Sequence, residues 1–133
     1  GPMLDKTAET AFDICAYAAH MAALMGAHII KVKPPMEPVS LDAAKKTYSD
    51  RKIDGSNLTA RIKHVVQACF NGRRLVVFSG GEAKGAEALL DEARAIHAGG
   101  GNGSIIGRNS FQRSREDALA MLGKLVDIYK GKA

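Results

Sequence analysis

The sequence predicts an α/β fold in which about three parallel strands alternate with four main helices. Three observations predict it. Short apolar runs at 28–33, 75–79 and 103–106 are each bounded by Gly or Pro, as buried strands are. The stretches around them repeat apolar residues at i, i+3, i+4 and i+7, the spacing of one helix face. The resulting order of helix, strand, helix, strand, helix, strand, helix gives parallel strands joined by right-handed crossovers. With 133 residues the chain suits one domain, long enough to bury about 68–70% of its unfolded surface. Runs as continuously apolar as Leu75–Phe78 predict cover on both faces of the sheet. Three strands and four helices make a very small doubly wound sheet or less than half of an eight-stranded βα barrel, because a complete barrel takes about 250 residues.

Gly1-Pro2 before Met3 has the look of a tag-cleavage scar, which leaves 3–133 as a single domain. From Thr7 to Met25 the stripe Ala11, Ile14, Cys15, Ala18, Ala22, Met25 predicts an alanine-rich first helix, ended by Gly26. The first strand cannot run past Lys33, because Pro34-Pro35 follows. Residues 34–56 have no clear period, and a short helix is expected near Leu41–Thr47. Leu58, Ile62, Val65, Val66 and Cys69 mark the inward face of the next helix, with Arg61, Lys63, His64 and Gln67 on its polar face and Asn57 or Ser56 as cap. Asn71-Gly72 turns the chain into the second strand. A helix over about 82–97 follows, with Ala86, Leu89, Leu90, Ala93 and Ile96 inward, and it stops at Gly99-Gly100-Gly101. Ser114 and Asp117 sit at capping-box spacing before a last helix with Ala118, Leu122, Leu125, Val126 and Tyr129 inward.

Composition narrows the function classes. Nineteen Lys and Arg against 14 Asp and Glu leave a formal charge of +5, which favours anionic partners without choosing among them. Seven aromatics and no Trp supply little for base stacking, which argues against nucleic acid as the partner. Cys15 and Cys69 fall in helices with no Cys-x-x-Cys and no histidines at ligand spacing, so they read as small buried hydrophobes and no metal is expected. No apolar run approaches about 20 residues and no signal pattern opens the chain, so a cytoplasmic protein without a membrane partner is expected.

Chemistry concentrates at the strand ends. Leu75-Val76-Val77-Phe78-Ser79-Gly80-Gly81 and Gly103-Ser104-Ile105-Ile106-Gly107-Arg108-Asn109 are strands that open into Gly-containing turns, whose unshielded N–H groups suit oxyanions. Either turn alone also fits a plain tight turn; two after consecutive strands, one with a guanidinium, point to phosphate. Neither a Walker loop nor Gly-x-Gly-x-x-Gly is present, so nucleotide binding has no motif behind it. Lys31 and Lys33, two apart on a strand, share a face. Burial and a cationic neighbour would both favour the neutral amine that attacks a carbonyl; the plainer alternative is two lysines reaching into solvent. His20, His28, His64 and His97 are scattered and read as structural.

These residues carry a resemblance. Ala16-Tyr17-Ala18-Ala19-His20, Gly26-Ala27-His28-Ile29-Ile30-Lys31-Val32-Lys33, Val77-Phe78-Ser79-Gly80-Gly81 and 103–113 together resemble the C-terminal half of the archaeal-type class I fructose-bisphosphate aldolases. The resemblance implies a partial TIM (βα)8 barrel, a half-barrel. It implies Lys31 as the Schiff-base lysine, with Lys33 as a neighbour able to tune it, and Ser79, Gly80, Gly81, Gly107 and Arg108 as the phosphate site. The implied substrate is a sugar phosphate: fructose 1,6-bisphosphate is cleaved reversibly to dihydroxyacetone phosphate and glyceraldehyde 3-phosphate, a step of glycolysis and gluconeogenesis. No cofactor is implied, because the iminium is the electron sink. The family's first-strand acidic residue and fifth-strand tyrosine have no counterpart, since Tyr17, Tyr48 and Tyr129 match neither place. General acid–base help is typically worth about 10²–10⁴-fold, so little or no turnover is expected from this chain alone. Open strand edges predict a homo-oligomer. A non-catalytic phosphate-binding or scaffold module, and a Schiff-base enzyme acting on another phosphorylated ketose or a ketoacid, remain as alternatives.

Overall fold

The computed structural model describes residues 6, 8–80 and 84–132. A 3-10 turn at Ala8–Thr10 leads into α1 (Phe12–Leu24), followed by β1 (Ile29–Val32), α2 (Asp42–Asp50), α3 (Leu58–Ala68) and β2 (Leu75–Ser79). Then come α4 (Ala86–Ala98), β3 (Gly103–Ile105), the single turn α5 (Arg108–Phe111) and α6 (Arg115–Tyr129). The three strands form one parallel sheet in the order β1-β2-β3. Ile29 sits opposite Leu75 and Lys31 opposite Val77; Val77 in turn faces Gly103, and Ser79 faces Ile105.

Alternation along the strands sends Ile30, Val76 and Phe78 to one face, where they are buried with Cys15, Ala16, Ala19 and Ala23 of α1, Ile62 and Val65 of α3, and Ile96 of α4. Leu89, Leu90 and Ala93 of α4 pack a second cluster with Met121, Leu125 and Ile128 of α6, and Tyr129 borders both. The Tyr129 hydroxyl also bonds the Ser104 hydroxyl, which ties α6 to β3. The opposite sheet face is bare: Ile29, Leu75 and Ile105 are 63%, 49% and 48% exposed. Among the described residues the helices cover one face only, where the apolar strands predicted cover on both. The physical reason is that an apolar strand face is equally required by a barrel interior, which other strands fill.

Two helix faces also differ from expectation. In α1 the buried line is Phe12, Cys15, Ala16, Ala19 and Ala23, while Ala18 and Met25 are exposed. Alanine on every side of α1 blurs its stripe, and Phe12 sets the rotation. Helix α6 buries Met121, Leu125 and Ile128, leaving Leu122 and Val126 exposed. Its apolar residues make two lines, and contact with α4 selects one. The inward faces of α3 and α4 are as expected, although Arg61 and His64 on the other face of α3 also find partners, and Asn57 caps α3, its side chain accepting from the Ala60 N–H at 2.9 Å. The expected start at Glu82 of the helix over about 82–97, and the proposed scar at 1–2, lie outside the described residues.

The segment without a clear period is tied down by two side chains. Arg61 donates through Nε to the Pro35 carbonyl (2.9 Å) and through Nη1 to that of Gly55 (2.7 Å). Asp13, 3% exposed, accepts the N–H groups of Ser40 and Leu41 at 2.8 and 2.9 Å, just before α2. Arg61 thus clamps the segment, where the sequence placed it on a solvent face.

Candidate active site at the strand ends

Parallel strands bring their C-terminal ends to one edge of the sheet, so Lys31, Ser79 and the turn after β3 gather there. Val76 and Phe78 face the helices, and Ser79 therefore shares the bare face with Val77. Lys31, opposite Val77, is exposed on that face as well. Two residues of strand rise and one strand spacing separate the Lys31 and Ser79 Cα atoms by about 8 Å. Lys33 Nζ lies 3.5 Å from Glu9 Oε2, so a carboxylate offsets the charge expected to tune Lys31.

The two turns differ in what they offer. The Gly80 N–H donates to the Ile105 carbonyl at 3.0 Å, which extends the sheet ladder and removes that donor from any ligand. Gly80 is buried, and a Cβ there would meet Asn109 Nδ2 and the Ile105 carbonyl oxygen at 3.6 Å, an ordinary contact, so close approach does not demand glycine at this position. Gly81 lies outside the described residues. Gly107 precedes α5, its carbonyl accepting the N–H groups of Ser110 and Phe111 at 2.8 and 3.1 Å, and Gly107 and Arg108 are both exposed.

A lysine on β1, Ser79 at the end of β2 and the Gly107-Arg108 turn after β3, all toward the C-terminal edge of one parallel sheet, can be compared with known proteins. Residues 5–113 match the DeoC/LacD family aldolase domain. This chain belongs to the DeoC/LacD aldolase family. Probable class 1 fructose-bisphosphate aldolases of Chlamydia muridarum and Chlamydia pneumoniae are 30% and 29% identical to it over 133 and 130 residues. In both cases the match takes in 90% of this chain and 36% of the relative, so the chain spans about a third of the curated relatives it matches. Among solved structures, an archaeal fructose 1,6-bisphosphate aldolase superposes with a TM-score of 0.69 at 26% identity, over 98% of this chain and 41% of that one. A Schiff-base-forming fructose-1,6-bisphosphate aldolase gives 0.68 at 25%, over 97% and 41%. The aldolase fold is thus a partial TIM barrel here, with Ile29, Leu75 and Ile105 exposed on one face of its sheet.

Two residues that sequence reasoning passed over organise this aldolase-family edge. Asn109, 3% exposed, accepts the Lys84 N–H through Oδ1 at 2.8 Å and donates through Nδ2 to the Gly80 carbonyl at 3.4 Å. Arg113 donates through Nε to the Asn109 carbonyl and through Nη2 to the Lys84 carbonyl, both at 2.7 Å. The only sequence signal was an Asn directly after Gly-Arg with an Arg four residues on, which one turn of helix brings together. The Lys84 ammonium itself is paired with Glu92 Oε2 at 2.6 Å in a partly buried ion pair.

Cys15, Cys69, His20 and His64 lie on the helix side of the sheet. Burial, with Asp13 nearby, pushes the Cys15 thiol up to about 11 and keeps it protonated, in line with a packing role. His20 Nδ1 bonds the Ala68 carbonyl at 2.7 Å. His64, expected on a polar helix face, instead meets the Phe12 and Tyr48 rings edge-on at centroid distances of 5.0 and 5.1 Å. It shares a 2.9 Å hydrogen bond with the Tyr48 hydroxyl. Burial lowers the His64 pKa from the usual 6.5, so the unfolded chain binds that proton more tightly than the folded one. The stability His64 contributes is complete above pH 6.5 and is lost as pH falls from there through the lowered folded value. Urea titrations between pH 5 and 8 should show this slope in the wild type and a shallower one in His64→Phe. Equal slopes would remove His64 as the source.

No helix among the described residues is long and apolar enough to cross a membrane.

Proposed function

We propose that this chain is the Schiff-base and phosphate-binding part of a class I fructose-bisphosphate aldolase, with Lys31 as the nucleophile. The observation that carries the reading is the register that puts Lys31 level with Val77, two residues before Ser79 on the same bare face, beside the Gly107-Arg108 turn. In the proposed reaction the neutral Lys31 amine adds to the ketose carbonyl, and water leaves to form an iminium. Loss to solvent of the proton on the β-carbon hydroxyl then breaks the bond between the α and β carbons: the aldehyde leaves, the electron pair passes to the iminium nitrogen to give an enamine, and protonation and hydrolysis release the ketose product and the free lysine. Ser79, Gly107 and Arg108, with Gly81, hold a phosphate at the strand ends, where a barrel places its chemistry.

Lys31 stands on an exposed surface, and desolvation that favours a neutral amine has to come from whatever covers that face. The chain alone therefore binds sugar phosphate but turns over slowly or not at all. We also propose that isolated copies associate through the bare face and open strand edges, which hold exposed Ile29, Leu75 and Ile105.

Dihydroxyacetone phosphate with borohydride tests the assignment. A class I site yields a reduced adduct on the peptide carrying Lys31, absent in Lys31→Arg. Light scattering on the same sample at low micromolar concentration reads association. An adduct at another lysine would move the nucleophile elsewhere. No adduct with phosphate still bound would favour the non-catalytic phosphate module.

A further inference from the structure

We infer that residues 39–54, which carry α2, form a flap that opens as a unit between pinned ends, with His64 as the pH-sensitive latch that holds it shut. The inference does not depend on the function proposed above.

Both ends of the flap are fastened. On the way in, the Met36 N–H donates to the Thr10 carbonyl at 2.7 Å, and the Pro38 carbonyl accepts the Phe12 N–H at 2.9 Å. Arg61 then holds the Pro35 and Gly55 carbonyls with one guanidinium, which brings the two ends of the loop side by side. A loop closed in this way can lift without moving β1 or α3.

Between those ties the docking is thin. Helix α2 buries no residue, and clefts of about 380 and 350 Å³ border it, with Tyr48 lining both. It is attached through Asp13, which accepts the Ser40 and Leu41 N–H groups, and through Tyr48, which packs edge-on against Phe12 and His64. Segments with so few buried contacts open well before the rest of a fold.

His64 supplies the trigger. Its Nε2 lies 2.9 Å from the Tyr48 hydroxyl, and its ring is half-buried beside Phe12 and Tyr48. Burial lowers its pKa from 6.5, so docked α2 disfavours the imidazolium, whereas a lifted flap lets water reach the ring and the proton bind. The groups that share its clefts are Asp13, Tyr17 and His20 of α1, Tyr48 and Arg51 of α2, Asp54 of the following loop and Lys63 of α3. The carboxylates of Asp13 and Asp54 would favour a charged ring, but both are engaged by backbone N–H groups, and Arg51 and Lys63 oppose it. The latch is therefore shut above pH 6.5 and loosens as pH falls from there.

Amide hydrogen exchange at pH 7.5 and 5.5, corrected for intrinsic rates, tests the flap on the wild type, His64→Phe, His64→Gln and His20→Gln. In the wild type the Lys45 and Arg51 amides of the flap should exchange faster than Ile62 and Val65 of α3 at both pH values, and faster than Met36 in the pinned end. Acidification should lower Lys45 and Arg51 protection by about three- to tenfold, since one proton per opening limits the effect to about tenfold per pH unit. The pH effect should vanish in both His64 variants and persist in His20→Gln, which removes the other imidazole on the cleft. If His64→Phe does not fold, His64→Gln carries the same test. Exchange of α2 and α3 at one common rate would overturn the inference. So would a wild-type pH effect below about threefold, one that survives in a His64 variant, or one that disappears with His20.

Discussion

Phe12→Ala is expected to lower the unfolding free energy by about 3–5 kcal/mol, the range for removing a buried aromatic from a packed core. Phe12 is 1% exposed, and its ring meets Tyr48 at 5.2 Å and His64 at 5.0 Å, both edge-on. Gly55 backs the ring so closely that a Cβ there would lie 2.9 Å from Phe12 Cε1. One side chain of α1 therefore holds α2, α3 and the loop before α3. Helix α2 has no buried residue of its own, so Tyr48 against Phe12 is a main reason it stays docked. Folded domains have about 5–15 kcal/mol in total, and the loss would leave this one near its unfolding limit. In urea the midpoint should fall with an unchanged m-value, and α2 amides should exchange first. A change below about 1 kcal/mol would mean that the α1–α2–α3 cluster contributes little.

Gly101→Ala and Gly123→Ala should move stability in opposite directions. A Cβ on Gly101 would lie 2.6 Å from Ile96 Cγ2, 2.9 Å from Phe78 Cε2 and 3.0 Å from the Ile96 carbonyl oxygen. The first two atoms belong to the buried core, and the third is backbone that also accepts the Gly101 N–H at 2.8 Å. None can withdraw cheaply, so overpacking should cost about 1–3 kcal/mol. Gly123 sits inside α6, where an added methyl group would meet nothing within 4 Å, so alanine there should gain about 0.5–1 kcal/mol of helix stability. Thermal unfolding of the two variants reads the sign directly. A neutral Gly101→Ala would show that the approach of the β3 entry to α4 is looser than these distances require.

Much of the aldolase-family architecture is legible along the chain because it depends on short-range pattern. Strands β1, β2 and β3 stand where apolar runs meet Gly or Pro, and α3 and α4 bury the residues their spacing predicts. Helices α1 and α6 are legible as helices but not in rotation: when alanine or leucine occupies two adjacent lines, only the neighbour selects which line is buried. His64 shows the same limit. A polar residue on a polar stripe looks solvated until Phe12 and Tyr48 arrive from elements distant in sequence.

At the candidate site the sequence by itself determined the ingredients: a strand carrying lysine near its C-terminal end and two strands that run into Gly-containing segments. Residue identity and local periodicity suffice for that, because strands, turns and glycine conformations are settled within a few residues. Only the tertiary structure decided that Lys31 is level with Val77, that the Gly80 N–H belongs to the sheet, that Lys33 leans on Glu9, and that Asn109 and Arg113 bond the Lys84 backbone. It also decided that the helices cover one face of the sheet and leave the other bare. Those outcomes depend on strand register and on partners far away along the chain, and a hydrogen bond or contact between distant residues leaves no periodic trace in the sequence of either one.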